Sequence, residues 1–295
     1  AHHPCEIPES WMKHTPNEGW LKLGPVEHYR DAETPQEMVY RVCAAHAEYI
    51  HEQVGRFRRG RAPWENSDIR HTNGHLLWRL NENSNVISFG VVDYFLQPGH
   101  AYYEMKRCYA PVFASVTLDD HAGIYLTNDT TRTIAGTVEV SLFHLVKNVR
   151  TRQMELPFTI EPDATARLCT LDEWGQIRKE QIVCVRVLDK RRTLLAETIQ
   201  PLDIERLPYP QQVGLSMIAS ADTDTLLLRC EHYARCVSLY GDGFDPLFDD
   251  NFFDLLPGET KCIRVLRSPS SGVIYAETAF DQTIVSCQWD KEKEK

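Results

Sequence analysis

The sequence predicts an α/β segment followed by an all-β portion arranged as two sandwiches. Three observations carry this expectation. Residues 1–110 run helix, strand, helix, the rhythm of an α/β layer. After Pro111, short β-prone stretches with turn residues between them replace helical periodicity. A proline-rich seam from Pro201 to Pro210 then divides those stretches into two sets. The expected boundaries are therefore 1–110, 111–202 and 203–295.

Each element has its own signal. Thr34, Pro35 and Glu37 together make a helix start: an N-cap, a proline at the first helical position and the acid of a capping box. Met38, Val42, Ala45, Tyr49 and Val54 then recur at helical spacing up to about Arg59. The basic run Arg56–Arg61 falls at the helix end, where cations complement the helix dipole. Gly74–Leu80 is a short apolar run that ends in the polar cluster Asn81–Asn85, and it predicts a buried strand. Gly99–Ala110 predicts a second helix, stopped by Pro111.

The first sandwich is expected from strands at 112–118, 123–127, 136–145, 155–160, 182–188 and 194–199. The second is expected from 213–219, 225–231, 234–239, 261–266, 272–278 and 283–288. Alternating charges from Asp290 to Lys295 predict a solvated tail.

Composition excludes several classes. With 42% hydrophobic and 25% charged residues, the chain can build a core and is not a disordered polymer. Its net charge of -10 repels phosphate backbones, so no nucleic-acid partner is expected. No apolar run approaches the ~18–20 residues of a membrane span. The nine cysteines are odd in number and contain no CxxC pair, which gives no support to a zinc ribbon. They predict either a reducing compartment, the cytoplasm being favoured, or an enzyme with mostly free thiols. No signal peptide is seen, and the opening Ala1-His2-His3-Pro4 reads as a fragment boundary or a processed end. The lone sequon Asn128-Asp129-Thr130 decides nothing.

Three stretches carry a family likeness. The first is Gly74–Glu82 with Val91-Val92-Asp93-Tyr94-Phe95 and Ala101–Val112. The second is Asn128–Thr131 with Ile134–Val138, and the third is Asp250–Glu259. In this order they resemble the last barrel strand, the next sandwich and the terminal sandwich turn of glycoside hydrolase family 2. The similar branch is the one holding β-mannosidases and exo-β-glucosaminidases. The resemblance implies a C-terminal remnant of a (β/α)8 barrel plus two immunoglobulin-like sandwiches. It also implies a retaining, exo-acting hydrolysis of glycosidic bonds by two carboxylates about 5 Å apart.

A whole barrel takes about 250 residues, so the resemblance implies that most of it, with further β domains, is supplied from elsewhere. If Pro4 is the proline after the family's S-E-x-G, the nucleophilic Glu falls before Ala1, and Trp11, Trp20 and Glu27-His28 resemble the family's residues downstream of that motif. No catalytic residue is then expected in this chain. Glu6 reads as a loop residue, since no strand-like run precedes it. The isolated chain is expected to be inactive, with unstable first hundred residues.

Four residues are candidates for sugar contact. Trp78 is expected to pack in the barrel, with a sugar platform as the alternative. Asn81 serves either hydroxyls or a cap. Glu82 takes the motif's Asp position, as an orienting acceptor or as a sugar-hydroxyl acceptor. Ser84 stands where the family has a second Trp, and Asn85 where it has Pro, which implies a different sugar or a different subsite shape.

The expected partners are a carbohydrate substrate, the N-terminal part of the same enzyme and, as an open option, a second copy. No cofactor and no metal are expected. His2 and His3 either line the pocket or are loop residues. Asp242, Asp245, Asp249 and Asp250 are read as structural rather than calcium ligands. The alternative function is a non-catalytic carbohydrate-binding or interaction module. It would need an exposed row among Tyr233, Tyr240, Phe244, Phe248, Phe252 and Phe253, residues that more often fill a core.

Overall fold

A computed structural model describes residues 29, 32, 34–60, 74–84, 90–118, 122–201, 212–220, 224–279 and 284–290. Helix α1 (Pro35–Arg59) starts where the cap predicts, with Thr34 Oγ1 accepting from the Glu37 N–H at 3.2 Å. Helix α2 (His100–Cys108) ends ahead of Pro111. Among the described residues no helix is long and apolar enough to cross a membrane.

The chain divides into two units. One holds the described residues within Ala1–His46, Arg79–Tyr103 and Tyr209–Lys295; the other holds those within Ala47–Trp78 and Glu104–Pro208.

The second of these contains strands β1 (Val112–Thr117), β2 (Gly123–Asn128), β3 (Ile134–His144), β4 (Val149–Ile160), β5 (Ala164–Thr170), β6 (Gln181–Asp189) and β7 (Leu194–Pro201). They form two antiparallel sheets, β1-β2-β5 and β4-β3-β6-β7. Alternate residues of each face one apolar core, with Ile124, Leu126, Val138, Val140, Val183, Val185 and Val187 fully buried. Strand β4 begins earlier than its sequence suggests because β3 offers it partners along its whole length. It is an edge strand that accommodates Pro157, and its exposed Arg150 and Arg152 discourage further pairing.

Asn128 explains one of the family-like stretches. Its side chain is completely buried, and its amide donates to the carbonyls of Arg132, Ile160 and Glu161 at 2.8, 3.3 and 2.9 Å. Its Oδ1 accepts from the N–H and hydroxyl of Thr130. The sequon asparagine is thus a loop lock. From the C-terminal half of α1, the buried Arg58 donates to the carbonyls of Cys108 and Ala110, pairs with Asp129 at 2.7 Å and lies over the Phe113 ring.

The first unit contains β8 (Ser216–Ser220), β9 (Thr225–Arg229), β10 (Ala234–Gly241), β11 (Leu247–Phe248), β12 (Phe253–Leu255), β13 (Lys261–Arg267), β14 (Ser271–Glu277) and β15 (Val285–Asp290). Its sheets are β12-β10-β14-β15 and β11-β13-β9-β8. Leu226, Leu228, Val237, Ile263, Ile274 and Ala276 fill the core between them. The N-terminal half of α1 joins this unit through Val42, Ala44 and Ala45, packed with Tyr29 and Cys236.

The Asp250–Glu259 turn is structural throughout. Asn251 exchanges hydrogen bonds with both the N–H and the C=O of Leu239, substituting for a strand neighbour. Asp254 accepts from the Cys236 N–H at 2.8 Å and the Tyr233 hydroxyl at 2.6 Å, which steadies a bulge where Cys236 has φ 52°. Gly258 takes φ 80° after Pro257, and the Glu259 N–H closes the turn onto the Leu256 carbonyl.

The all-β character after Pro111 stands as expected, while β5, β11 and β12 are strands the sequence reading did not include. The predicted strand at Gly74–Leu80 does not form: within Gly74–Ser84 only Asn81 takes part in a β-bridge. A barrel strand is defined by hydrogen-bonded neighbours on both sides, and this stretch has none from Gly74 to Trp78 among the described residues.

Candidate functional site

The polar cluster singled out in the sequence lies on a stretch of the first unit that a parallel bridge ties from Asn81 to Val92. Val91 and Val92 donate to the Leu80 carbonyl at 3.1 and 3.0 Å, and Glu82 donates to Val92 at 3.1 Å. Val92 also bridges Pro98, and Gly99 donates back to Val91. Between them Asp93 folds a tight turn, its carboxylate accepting from the Gln97 N–H at 2.8 Å. Tyr94, Phe95 and Leu96 are exposed on that turn.

Glu82 is buried to 5% exposure, and protein groups hold both of its oxygens. Oε1 accepts from the Gly90 N–H at 2.6 Å and from Arg79 Nε at 3.3 Å, while Oε2 pairs with Arg79 Nη2. A Cβ on Gly90 would lie 2.5 Å from Oε1, so glycine is what lets the backbone approach the carboxylate. Of the two readings left open by the sequence, this geometry favours the orienting acceptor. Asn81 and Ser84 are exposed, and the Asn81 amide lies 3.4 Å from the Glu82 carbonyl. Trp78, expected to pack in a barrel, is 81% exposed in this chain. The structure gathers Asn81, Glu82 and Ser84 on one loop; Trp78 belongs to the other unit.

The remaining candidates resolve as structural or fall outside the described residues. Asp249 accepts from the N–H and Nε of Arg264, and Asp250 pairs with Lys261 at 3.1 Å. Tyr233, Phe248 and Phe253 are buried, and Tyr240, Phe244 and Phe252 are half-buried, so these aromatics form no exposed row. His2, His3, Pro4, Glu6, Trp11, Trp20, Glu27, His28 and Asn85 lie outside the described residues.

One cluster has no counterpart among the sequence candidates. His51 of α1 and Glu104 and Cys108 of α2 bring three donor atoms within 4.8 Å of one another. Glu104 Oε1 lies 2.7 Å from His51 Nδ1 and 3.1 Å from Cys108 Sγ. Burial opposes the Glu104 charge, yet Arg107 and His51 beside it hold its carboxyl well below the usual carboxylate range. Burial and that same carboxylate push the Cys108 thiol well above its ordinary value. The Glu104-x3-Cys108 spacing is visible as one helix face, but nothing in the sequence links it to His51.

Two antiparallel sandwiches with a helical segment ahead of them define the described residues as a mostly β protein. Comparison with known proteins narrows the class. Residues 209–282 match the Ig_mannosidase family, described as an Ig-fold domain. Beta-mannosidase B of Aspergillus clavatus is 23% identical over 260 residues, covering 81% of this chain and 30% of that protein. The Aspergillus flavus protein of the same name is 35% identical over 96 residues, or 32% of this chain and 11% of that one.

Among solved structures, β-D-mannosidase from Dictyoglomus thermophilum has a similar fold, with a TM-score of 0.74 at 17% identity over 96% of this chain and 37% of that one. The Amycolatopsis orientalis exo-chitosanase complex with PNP-β-D-glucosamine gives 0.70 at 14% identity, covering 90% and 36%. The chain thus spans about 30% of the length of the fuller-matching curated relatives. The Ig_mannosidase match and the likeness to β-mannosidase B proteins, together with the shared fold, support the chain's resemblance to the C-terminal part of glycoside hydrolase family 2 proteins.

Proposed function

We propose that the chain is the C-terminal portion of a retaining, exo-acting β-glycosidase that hydrolyses oligosaccharides or polysaccharide fragments. The observation that carries this reading is the match of 81% of the chain to β-mannosidase B proteins. In this reading residues 1–110 complete a catalytic barrel, and 111–202 and 203–295 are its accessory sandwiches. The two catalytic carboxylates come from outside these 295 residues. Asn81 and Ser84 offer sugar-facing groups, and Glu82 holds their loop through Arg79 and Gly90.

The test is an assay on 4-nitrophenyl β-mannoside and β-glucosaminide. It compares the 295-residue chain with any longer polypeptide that continues it upstream. Turnover is expected only from the longer protein. Turnover by the 295-residue chain that is abolished by Glu82→Gln would overturn the proposal.

A further inference from the structure

In the cluster between the C-terminal half of α1 and α2, one carboxylate oxygen is the meeting point of an imidazole and a thiol. Glu104 Oε1 lies 2.7 Å from His51 Nδ1 and 3.1 Å from Cys108 Sγ, and the sulfur lies 3.7 Å from the same nitrogen. Around a tetrahedral zinc-like ion, metal–ligand distances of ~2.0–2.3 Å put N and O about 3.3 Å apart and sulfur about 3.5 Å from either. The observed triangle differs from that one by about 0.6 Å at its widest disagreement, between nitrogen and oxygen. A change in side-chain torsion supplies that much without moving either helix.

Three further features accord with an ion at this triangle. Glu104 and Cys108 are four residues apart on α2 and so project from one face. Glu104 Oε2 is held separately by Arg107, with Nη2 at 3.0 Å and Nε at 3.2 Å, which fixes the carboxylate and leaves Oε1 turned to the cluster. His51 is 27% exposed at its side chain, while Cys108 is wholly buried. The part-exposed imidazole puts the cluster beside solvent, while the wholly buried sulfur is poorly placed as a nucleophile.

We propose that His51 Nδ1, Glu104 Oε1 and Cys108 Sγ bind one thiophilic divalent cation of the zinc class, with water as fourth ligand. Binding replaces two hydrogens at the site. The Cys108 thiol proton leaves to solvent, and the part-exposed imidazole gives up its Nδ1 proton and carries one at Nε2 instead. The cation then meets one thiolate, one carboxylate and one neutral imidazole. The donor set of nitrogen, sulfur and oxygen suits zinc or cobalt and disfavours calcium and magnesium, which take oxygen ligands.

The test uses the reduced, metal-stripped 295-residue chain, with Zn2+ and then Co2+ as probes. One Zn2+ per chain should survive gel filtration, and Co2+ should give a thiolate-to-cobalt charge-transfer band in the near ultraviolet. Cys108→Ser should abolish that band, and His51→Gln should weaken zinc binding at least tenfold. A variant combining His2→Ala, His3→Ala and Cys5→Ser removes the other donor-rich stretch and should bind unchanged. Should Cys108→Ser fail to fold by circular dichroism, the part-exposed His51→Gln decides alone. Failure to retain zinc, or retention indifferent to His51→Gln, overturns the proposal.

Discussion

Strand β3 and the stretch Leu76–Leu80 carry the same signature with opposite outcomes. In β3, Val138, Val140 and Leu142 alternate with more exposed residues, and all three are buried. Leu76, Trp78 and Leu80 alternate too, yet all are exposed, Leu76 completely. The difference lies in neighbours. Strand β3 pairs with β4 on one edge and β6 on the other, and its apolar face meets the β1-β2-β5 sheet in one core. Between Gly74 and Ser84 the backbone makes one isolated bridge. Alternation encodes a face; burial requires a second layer to meet that face.

The comparison is tested hardest at two glycines. A Cβ on Gly136 of β3 would lie 1.9 Å from the Leu188 carbonyl oxygen and 2.9 Å from the Asp189 Cα, both backbone atoms that cannot swing aside. Gly136→Ala should therefore cost about 3 kcal/mol or more in urea unfolding. Gly74 has nothing within 4 Å of its added Cβ, and Gly74→Ala should stay within about 0.5 kcal/mol of the parent. Equal costs at the two sites would refute strand pairing as the distinguishing feature.

Asn128→Asp comes next. It would turn a buried carboxylate onto three carbonyl oxygens that now receive an amide, at a cost of roughly 2–4 kcal/mol. A neutral result in the same denaturation assay would mean the loop lock contributes nothing.

Legibility in the sequence obeys the same logic. Helix α1 is legible from Thr34 onwards because cap and periodicity are local. Strands β3 and β6 are legible because their alternation runs long enough to stand out. Strand β5 is not: Ala164, Ala166 and Arg167 have little β preference, and the open edge of β2 makes them a strand. Strand β12 is hidden inside a turn motif whose side chains, Asn251 and Asp254, do the pairing of a longer strand. At the candidate site, the loop Asn81–Ser84 is legible through its family likeness. The Glu82 clamp depends on Gly90, eight residues away, and the His51–Glu104 pair on two helices, so neither leaves a spacing to find.

The loop clamp gives a smaller expected effect. Gly90→Ala displaces the Glu82 carboxylate from the Gly90 N–H, and Glu82→Gln removes the charge facing Arg79. Each should cost about 1–2 kcal/mol and raise hydrogen exchange over residues 79–99 while leaving β3 and β6 protected. Loss of protection in those strands as well would show that the loop and the sheet unfold as one.

A pH titration sharpens the contrast from the helix. Burial lowers the His46 imidazole to about 4. The unfolded chain takes up this proton near the ordinary value of ~6.5 while the folded chain resists it. Stability from neutral His46 is then fully present above that value and falls as pH drops toward about 4. His46→Gln should flatten the slope of stability against pH across that window; an unchanged slope would assign it to another group.

The smallest effect, and the most telling, is expected at Trp78. With 81% of its surface already in water, Trp78→Ala in the 295-residue chain removes little burial and should shift stability by no more than about 0.5 kcal/mol. In a longer protein whose upstream strands close a barrel around this stretch, the same substitution empties a packed position, where Trp→Ala costs roughly 3–5 kcal/mol. Measuring both differences under one denaturant separates a side chain exposed by nature from one exposed for want of a covering layer. A small cost in both proteins would leave Trp78 a surface residue and remove the barrel from its explanation.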